Sequence, residues 1–290
     1  MPPFTEITFV SADGLRLYAR DYAATLGAAK CPIICIHGLT RNSADFEELA
    51  PWLASLGRRV LAVDVRGRGR SAYDTNIEHY SISQYVADVV LLAHQLGIGR
   101  AVFIGTSMGG LITMALAMKH LHLIAAAVLN DIGPVLSETG LSRIAAYSGK
   151  AVSCLDWQEA VECVKTINQS AFPNNTQDDW EKWAKRAFQQ ANDGRWILKY
   201  DPNIAVPLRL GKLKASSWGA KFAFRRLAGK RPTLLIRGAL SDLLESEQAD
   251  YMRQVAPTMR YAQVPNVGHA PMLMEAEATT ALRQFLADVD

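Results

Sequence analysis

Two kinds of hydrophobic run alternate along this chain. Residues 32–36, 60–65, 102–104, 123–129 and 232–236 are short, mostly apolar stretches rich in Val, Ile and Leu. Runs of that length suit strands buried on both faces. Between them apolar residues recur at helical spacing. Phe46, Leu49, Ala50 and Leu53 share one side of a segment opened by Asn42 or Ser43. Ile82, Val86, Val89, Ala93 and Leu96 share another, opened by Ser81-x-x-Gln84 and closed by Gly97; the first is a capping box and the second a helix stop. Strands alternating with helices predict a parallel sheet covered on both faces. Ahead of them, residues 7–10 and 15–22 flank Asp13-Gly14, a hairpin signal.

The alternation stops at Asn130-Asp131-Ile132-Gly133-Pro134. From residue 134 to 230 the pattern is mostly helical. Asp156-x-x-Glu159 starts one helix and Thr176-x-x-Asp179 another, with Trp180, Trp183, Ala184, Ala187, Phe188 and Ala191 along one face. Trp157, Trp180, Trp183 and Trp196 fall in this stretch. It reads as a lid whose underside lines an apolar pocket. The strand pattern returns at 232–236 and is followed by a helix over 246–256, a strand over 261–264 and a last helix carrying Leu282, Phe285, Leu286 and Val289. The expected organisation is a core of residues 1–133 and 231–290 with an inserted cap of residues 134–230.

Composition adds boundaries. The chain has 290 residues, 49% hydrophobic and 20% charged, with a net charge of +3, which is globular and not disordered. No long basic run is present, so nucleic acid is not an expected partner; the short cluster over 221–231 reads as solvated surface. Cys31, Cys35, Cys154 and Cys163 lack metal-ligand spacing and read as free thiols in a reducing compartment. The N-terminus lacks the charged and apolar regions of a signal peptide. Residues 101–118 are uncharged and long enough to test as a membrane span, but Gly-Thr-Ser-Met-Gly-Gly interrupts them. They read as a strand plus a core helix. A soluble cytoplasmic protein with no membrane partner is expected.

The chemistry-bearing feature is Val102-Phe103-Ile104-Gly105-Thr106-Ser107-Met108-Gly109-Gly110. A buried strand runs straight into Gly-x-Ser-x-Gly, and a helix follows. Such a turn holds its serine above the sheet edge, and the flanking glycines let strand and helix approach. A lone serine hydroxyl is a poor nucleophile and needs a base; histidine, oriented by a carboxylate, supplies one. Polar features fall at strand ends at His37-Gly38-Leu39, Ser241-Asp242 and Gly268-His269, where open parallel sheets place their chemistry. Asp131 also stands at a strand end and is the rival to Asp242. It is read here as a hinge residue of the lid, with Asp242 preferred. His79, His94, His120 and His122 read as surface or packing residues, and His120-x-His122 is too little for a metal site.

These motifs, with Asp64-x-Arg66-Gly67-x-Gly69-x-Ser71, Arg237-Gly238-x-x-Ser241-Asp242 and Gly268-His269-Ala270-Pro271, resemble the α/β-hydrolase superfamily. The similarity is to its lid-bearing branch of esterases, lactonases and C–C hydrolases, and it spans nearly the whole chain outside the lid. It implies an eight-stranded, mostly parallel α/β sheet with helices on both faces. It implies Ser107 as nucleophile, His269 as base and Asp242 as the third member, with an oxyanion hole from the Leu39 and Met108 N–H groups. The histidine at His37 is expected to shape its loop, and Asp64 and Arg66 to staple loops. Serine at 107, where epoxide hydrolases and haloalkane dehalogenases carry a carboxylate, points to an acyl-enzyme. No cofactor and no metal are implied.

The substrate signal is thin. Trp183 and Phe188 on the lid suggest an apolar pocket for small or medium acyl or aromatic groups. The first reading is a carboxylic ester hydrolase. The second is an enol-lactonase or C–C hydrolase on ring-cleavage products, whose carboxylates Arg41 would meet. Against the C–C reading, the loop is His-Gly-Leu-Thr-Arg-Asn-Ser, not the Pro-Gly-Ala type. A third reading, of another class, is a slow-turnover ligand receptor on the same fold.

Overall fold

A computed structural model describes residues 3–25, 30–211 and 215–289. Eleven strands occur among them. β1 (Thr5–Val10), β2 (Arg16–Tyr22), β3 (Ile33–Ile36), β4 (Val60–Asp64), β5 (Ala101–Thr106) and β6 (Ile124–Asn130) come first, then β7 (Ser153–Cys154), β8 (Phe188–Gln190) and β9 (Trp196–Leu198), then β10 (Thr233–Gly238) and β11 (Arg260–Val264). Eight form the main sheet in the order β1-β2-β4-β3-β5-β6-β10-β11. β2 alone runs against the others, pairing antiparallel with β1 and β4. Gly14 has φ +86° in the first hairpin, as its Asp-Gly turn requires.

The mostly apolar runs form strands because both faces of the sheet are covered. Successive residues pack into opposite layers. Phe103 joins one cluster with Ile34, Ile36, Leu61 and Val63. Val102 and Ile104 join the other with Ile33, Cys35, Val60 and Ala62. All but Val63 are 0% exposed. Truncating Phe103 to alanine would cost about 3–5 kcal/mol, the usual cost of an emptied aromatic core site. The 82–95 helix starts where Ser81 accepts from the Gln84 N–H, and Gly97 ends it at φ +64°.

Between β6 and β10 the chain leaves the sheet. This insertion has its own small core of Val161, Val164, Phe172, Trp180, Trp183 and Phe188. Its helices include Glu138–Tyr147, Trp157–Asn168 and Gln177–Ala187. Asp156 caps the second, and Thr176 with Asp179 forms a full capping box on the third. The structure differs from expectation in one element's type and in another's packing. The Trp-rich helix stops at Ala187, and Phe188 begins β8, which pairs with β9 and through it with β7. Asp193 and Gly194, the latter at φ +85°, turn the hairpin. The helix Trp218–Ala228, expected in the cap, lays Phe224 and Leu227 into the sheet's own cluster. No helix among the described residues is long and apolar enough to cross a membrane.

Candidate active site

β3 pairs with β4 on one side and β5 on the other, and the chain order reverses between β3 and β5. A crevice opens there at the carboxyl ends of the strands. Ser107 stands at it, at φ 52° and ψ −114°. The strained turn needs its glycines: a Cβ on Gly105 would overlap the Gly109 carbonyl carbon, and one on Gly109 would overlap the Ile36 carbonyl oxygen. Glycine is the only residue that permits so close an approach.

His269, on the loop after β11, places Nε2 2.9 Å from Ser107 Oγ. Its Nδ1 lies 2.7 Å from Asp131 Oδ2. Asp131 follows β6 directly, at φ 56°, and is 0% exposed. Two more donors hold its carboxylate: the Gly238 N–H on Oδ1 at 2.9 Å and the Ser241 hydroxyl on Oδ2 at 2.5 Å. A buried carboxylate with three donors is satisfied and rigid. Asn130 braces the same region, its Nδ2 donating to Thr106 Oγ1 at 3.0 Å and to the Pro271 carbonyl at 2.8 Å. The loop carrying His269 is thereby tied to the strand carrying Ser107.

The expectation for the third member is corrected. Asp131, not Asp242, makes the hydrogen bond to His269. Asp242 is taken by Arg143, on the helix 138–147, through a bond from Nε to Oδ2 and one from Nη2 to Oδ1 at 2.7 Å. Burial works against the Asp242 charge, but the Arg143 guanidinium prevails and holds its pKa below the usual carboxylate range. Both aspartates follow neighbouring parallel strands, β6 and β10. The cation that occupies one of them sits in the insertion, far away in sequence.

The loop after β3 lies beside Ser107. A Cβ built on Gly38 would stand 3.6 Å from Ser107 Cβ. His37 is 0% exposed and shapes this loop. Its Nε2 accepts from the Val65 N–H at 3.1 Å. Nδ1 therefore carries the proton and donates to the Gly38 carbonyl at 2.7 Å. Burial pushes its pKa down to about 3, so it stays neutral. The Leu39 N–H has no partner among the described residues, and Met108 begins a helix, where an N–H has no intrahelical acceptor.

Sequence reasoning missed Arg68. It is 0% exposed, and no carboxylate pairs with it among the described residues. Nε donates to the Leu39 carbonyl at 2.9 Å, Nη1 to the Arg66 carbonyl at 2.7 Å and to Tyr85 Oη at 2.9 Å, and Nη2 reaches Met108 Sδ at 3.4 Å. One buried guanidinium thus touches both Leu39 and Met108. The available signal was an arginine between Gly67 and Gly69 in the loop after β4.

Asp64 and Arg66 staple loops. Asp64 accepts from the Ser43 N–H at 2.6 Å and the Arg70 N–H at 2.7 Å. Arg66 binds Asp88, Asp74 and Asp13. His79 joins that network through Asp74 at 2.9 Å. Arg41, Trp183 and Phe188 all line a cavity with Ser107 and His269. All four cysteines are unbridged.

An alternating sheet, a strained serine on the turn after β5, and a histidine and a buried aspartate from later loops define a hydrolase of the α/β type. The model of the alpha/beta hydrolase fold matches residues 32–276, and the chain belongs to that family. Among curated proteins it is 36% identical, over 87% of each chain, to a 3-hydroxybutyrate-oligomer hydrolase of Cupriavidus necator. It is 29% identical to an sn-1-specific diacylglycerol lipase of Mus musculus, over 88% of this chain and 80% of that one. Among solved structures it is similar to an alpha/beta hydrolase from Novosphingobium aromaticivorans, with 38% identity, a TM-score of 0.92 and full coverage of both chains.

Proposed function

We propose that the protein is a carboxylic ester hydrolase working through an acyl-enzyme on Ser107. The observation that carries this reading is the chain of contacts from Ser107 Oγ through His269 to Asp131. His269 Nε2 takes the hydroxyl proton as Oγ attacks the carbonyl, and Asp131 stabilises the imidazolium and fixes its tautomer. The Leu39 and Met108 N–H groups receive the oxyanion, the latter with the favourable dipole of its helix. His269 then protonates the departing oxygen and activates the water that frees the acid. Esters like those named for the curated relatives, 3-hydroxybutyrate oligomers foremost, are the first substrates to try.

The test uses p-nitrophenyl esters of increasing acyl length with wild type and Ser107→Ala. Turnover is expected in wild type and a loss of at least ~10³-fold in the variant. An absence of hydrolysis in wild type, or equal rates in both proteins, overturns the reading.

A further inference from the structure

Two cavities meet at Ser107, sharing Leu39, Ser107 and Ile144. The smaller, about 110 Å³, also holds His269, Arg41, Asp45 and Trp183. The larger, about 520 Å³, has mostly apolar walls, with Met108, Leu111, Leu136, Leu141 and Leu243, has Glu78 as its charged residue and does not include His269. If Ser107 opens an ester as proposed above, His269 must come within hydrogen-bond reach of the departing oxygen. The leaving group therefore occupies the smaller cavity, and the acyl part extends into the larger, mostly apolar one.

Arg41 and Asp45 are the charged residues of the smaller cavity. Arg41 Nε pairs with Asp45 Oδ2 at 2.7 Å. Its guanidinium carbon lies 4.1 Å over the Trp183 ring, and Nη2 reaches Met272 Sδ at 3.4 Å. These contacts fix the guanidinium plane. Nη1 makes no hydrogen bond among the described residues. The side chain starts close to the reaction centre: the point 3.6 Å from Ser107 Cβ where a Gly38 Cβ would stand is also 3.6 Å from Arg41 Cγ. A fixed guanidinium with Nη1 left over can donate to a carboxylate.

We infer that the leaving group carries a carboxylate and that Arg41 binds it. The substrate class is an oligoester of a small hydroxy acid, cut at the ester bond nearest its free carboxyl end. This inference rests on the ester-hydrolase reading. In the step, a bond forms from Ser107 Oγ to the ester carbonyl carbon and the bond from that carbon to the alkoxy oxygen breaks. The departing hydroxy acid takes its hydroxyl proton from His269 and keeps its carboxylate unchanged. Water then releases the shortened oligomer, whose new carboxylate is the handle for the next cycle. Asp45 already neutralises part of the Arg41 charge, so the discrimination is moderate.

The experiment compares kcat/KM for a 3-hydroxybutyrate trimer with a free carboxyl group and for its methyl ester, with the carboxyl-terminal unit isotopically labelled. The free acid is expected to be cleaved at least about ten-fold better, the worth of one hydrogen bond between charged groups, and the labelled monomer to appear first. In Arg41→Met the ratio of free acid to methyl ester falls to about one. Equal cleavage of both trimers by wild type, an unchanged ratio in Arg41→Met, or first release from the hydroxyl end overturns the inference. If Arg41→Met does not fold, the wild-type ratio and the order of release decide alone. Hydrolysis of p-nitrophenyl butyrate without any cleavage of the trimer overturns this inference only. No hydrolysis of any of these esters overturns the ester-hydrolase reading itself.

Discussion

The two flanks of Ser107 handle their buried charges differently. On the β6–β10 flank stand two carboxylates, Asp131 and Asp242, within reach of the same part of the molecule. On the β3–β4 flank stand a neutral buried histidine, His37, and a buried arginine, Arg68, which pairs with no carboxylate among the described residues. On the first, Asp131 accepts from His269, while Arg143 holds Asp242 in an ion pair. On the second, Arg68 donates to the Leu39 carbonyl and its Nη2 reaches Met108 Sδ, so in the proposed mechanism its charge stands behind the two N–H groups that receive the oxyanion. Under the proposed mechanism an anion stands behind the base and a cation behind the oxyanion donors.

The sharpest way to break this contrast is within the carboxylate flank. Asp131→Asn removes the acceptor that selects the His269 tautomer, and kcat is expected to fall by ~10⁴-fold. Asp242→Asn releases Arg143 but leaves the histidine's acceptor in place, so kcat should stay within about ten-fold of wild type, since a half-exposed ion pair is worth little. Steady-state kinetics on one ester with both variants settles the assignment, and the reverse order of effects would return the role to Asp242. On the other flank, Arg68→Met removes a charge and the bond to the Leu39 carbonyl. A loss of ~10²-fold in kcat with KM nearly constant is expected, the size of one oxyanion donor. Partial recovery in Arg68→Lys would mark a charge effect, whereas equal losses in both variants would mark the bond to Leu39.

The smallest effect concerns stability. His37 is neutral in the fold, with a pKa near 3 against 6.5 for the free side chain. The unfolded chain binds that proton more readily, so this contribution is complete above pH 6.5 and is lost as pH falls toward 3. Its slope approaches ~1.4 kcal/mol per pH unit. Denaturant melts of wild type and His37→Gln between pH 7 and pH 5 should show a steeper decline in wild type. Parallel curves would remove His37 from the account.

Much of the fold was legible because each signal is local. Apolar runs, Asp13-Gly14, Ser81, Thr176-x-x-Asp179 and Gly97 each act on their own few residues, and the structure places a strand, turn, cap or stop at each. The end of the Trp-rich helix was harder. Phe188 keeps helical spacing with Trp180 and Ala184, yet a hairpin turned at Gly194 draws it into a sheet with β9. The helix 218–228 lies within the stretch that reads as cap, and Phe224 and Leu227 are buried in the sheet's own cluster.

The site divides the same way. Ser107 and its turn follow from sequence alone, because strand, glycines and helix are contiguous and the steric demand is local. The loop around His37 and the histidine at 269 follow from position at strand ends. The choice between Asp131 and Asp242 does not. Two aspartates at the ends of adjacent parallel strands have the same sequence credentials, and burial and partners separate them. Asp131 is held by Gly238 and Ser241 beneath the imidazole, and Asp242 by an arginine 99 residues away in the chain. Arg68 was hidden for the same reason, since its neighbours come from the loops after β3 and β5 and from the helix at Tyr85. Backbone sterics and periodicity act along the chain and can be read there. Pairing of buried charges depends on which side chains arrive at the same place, and only the folded molecule brings them together.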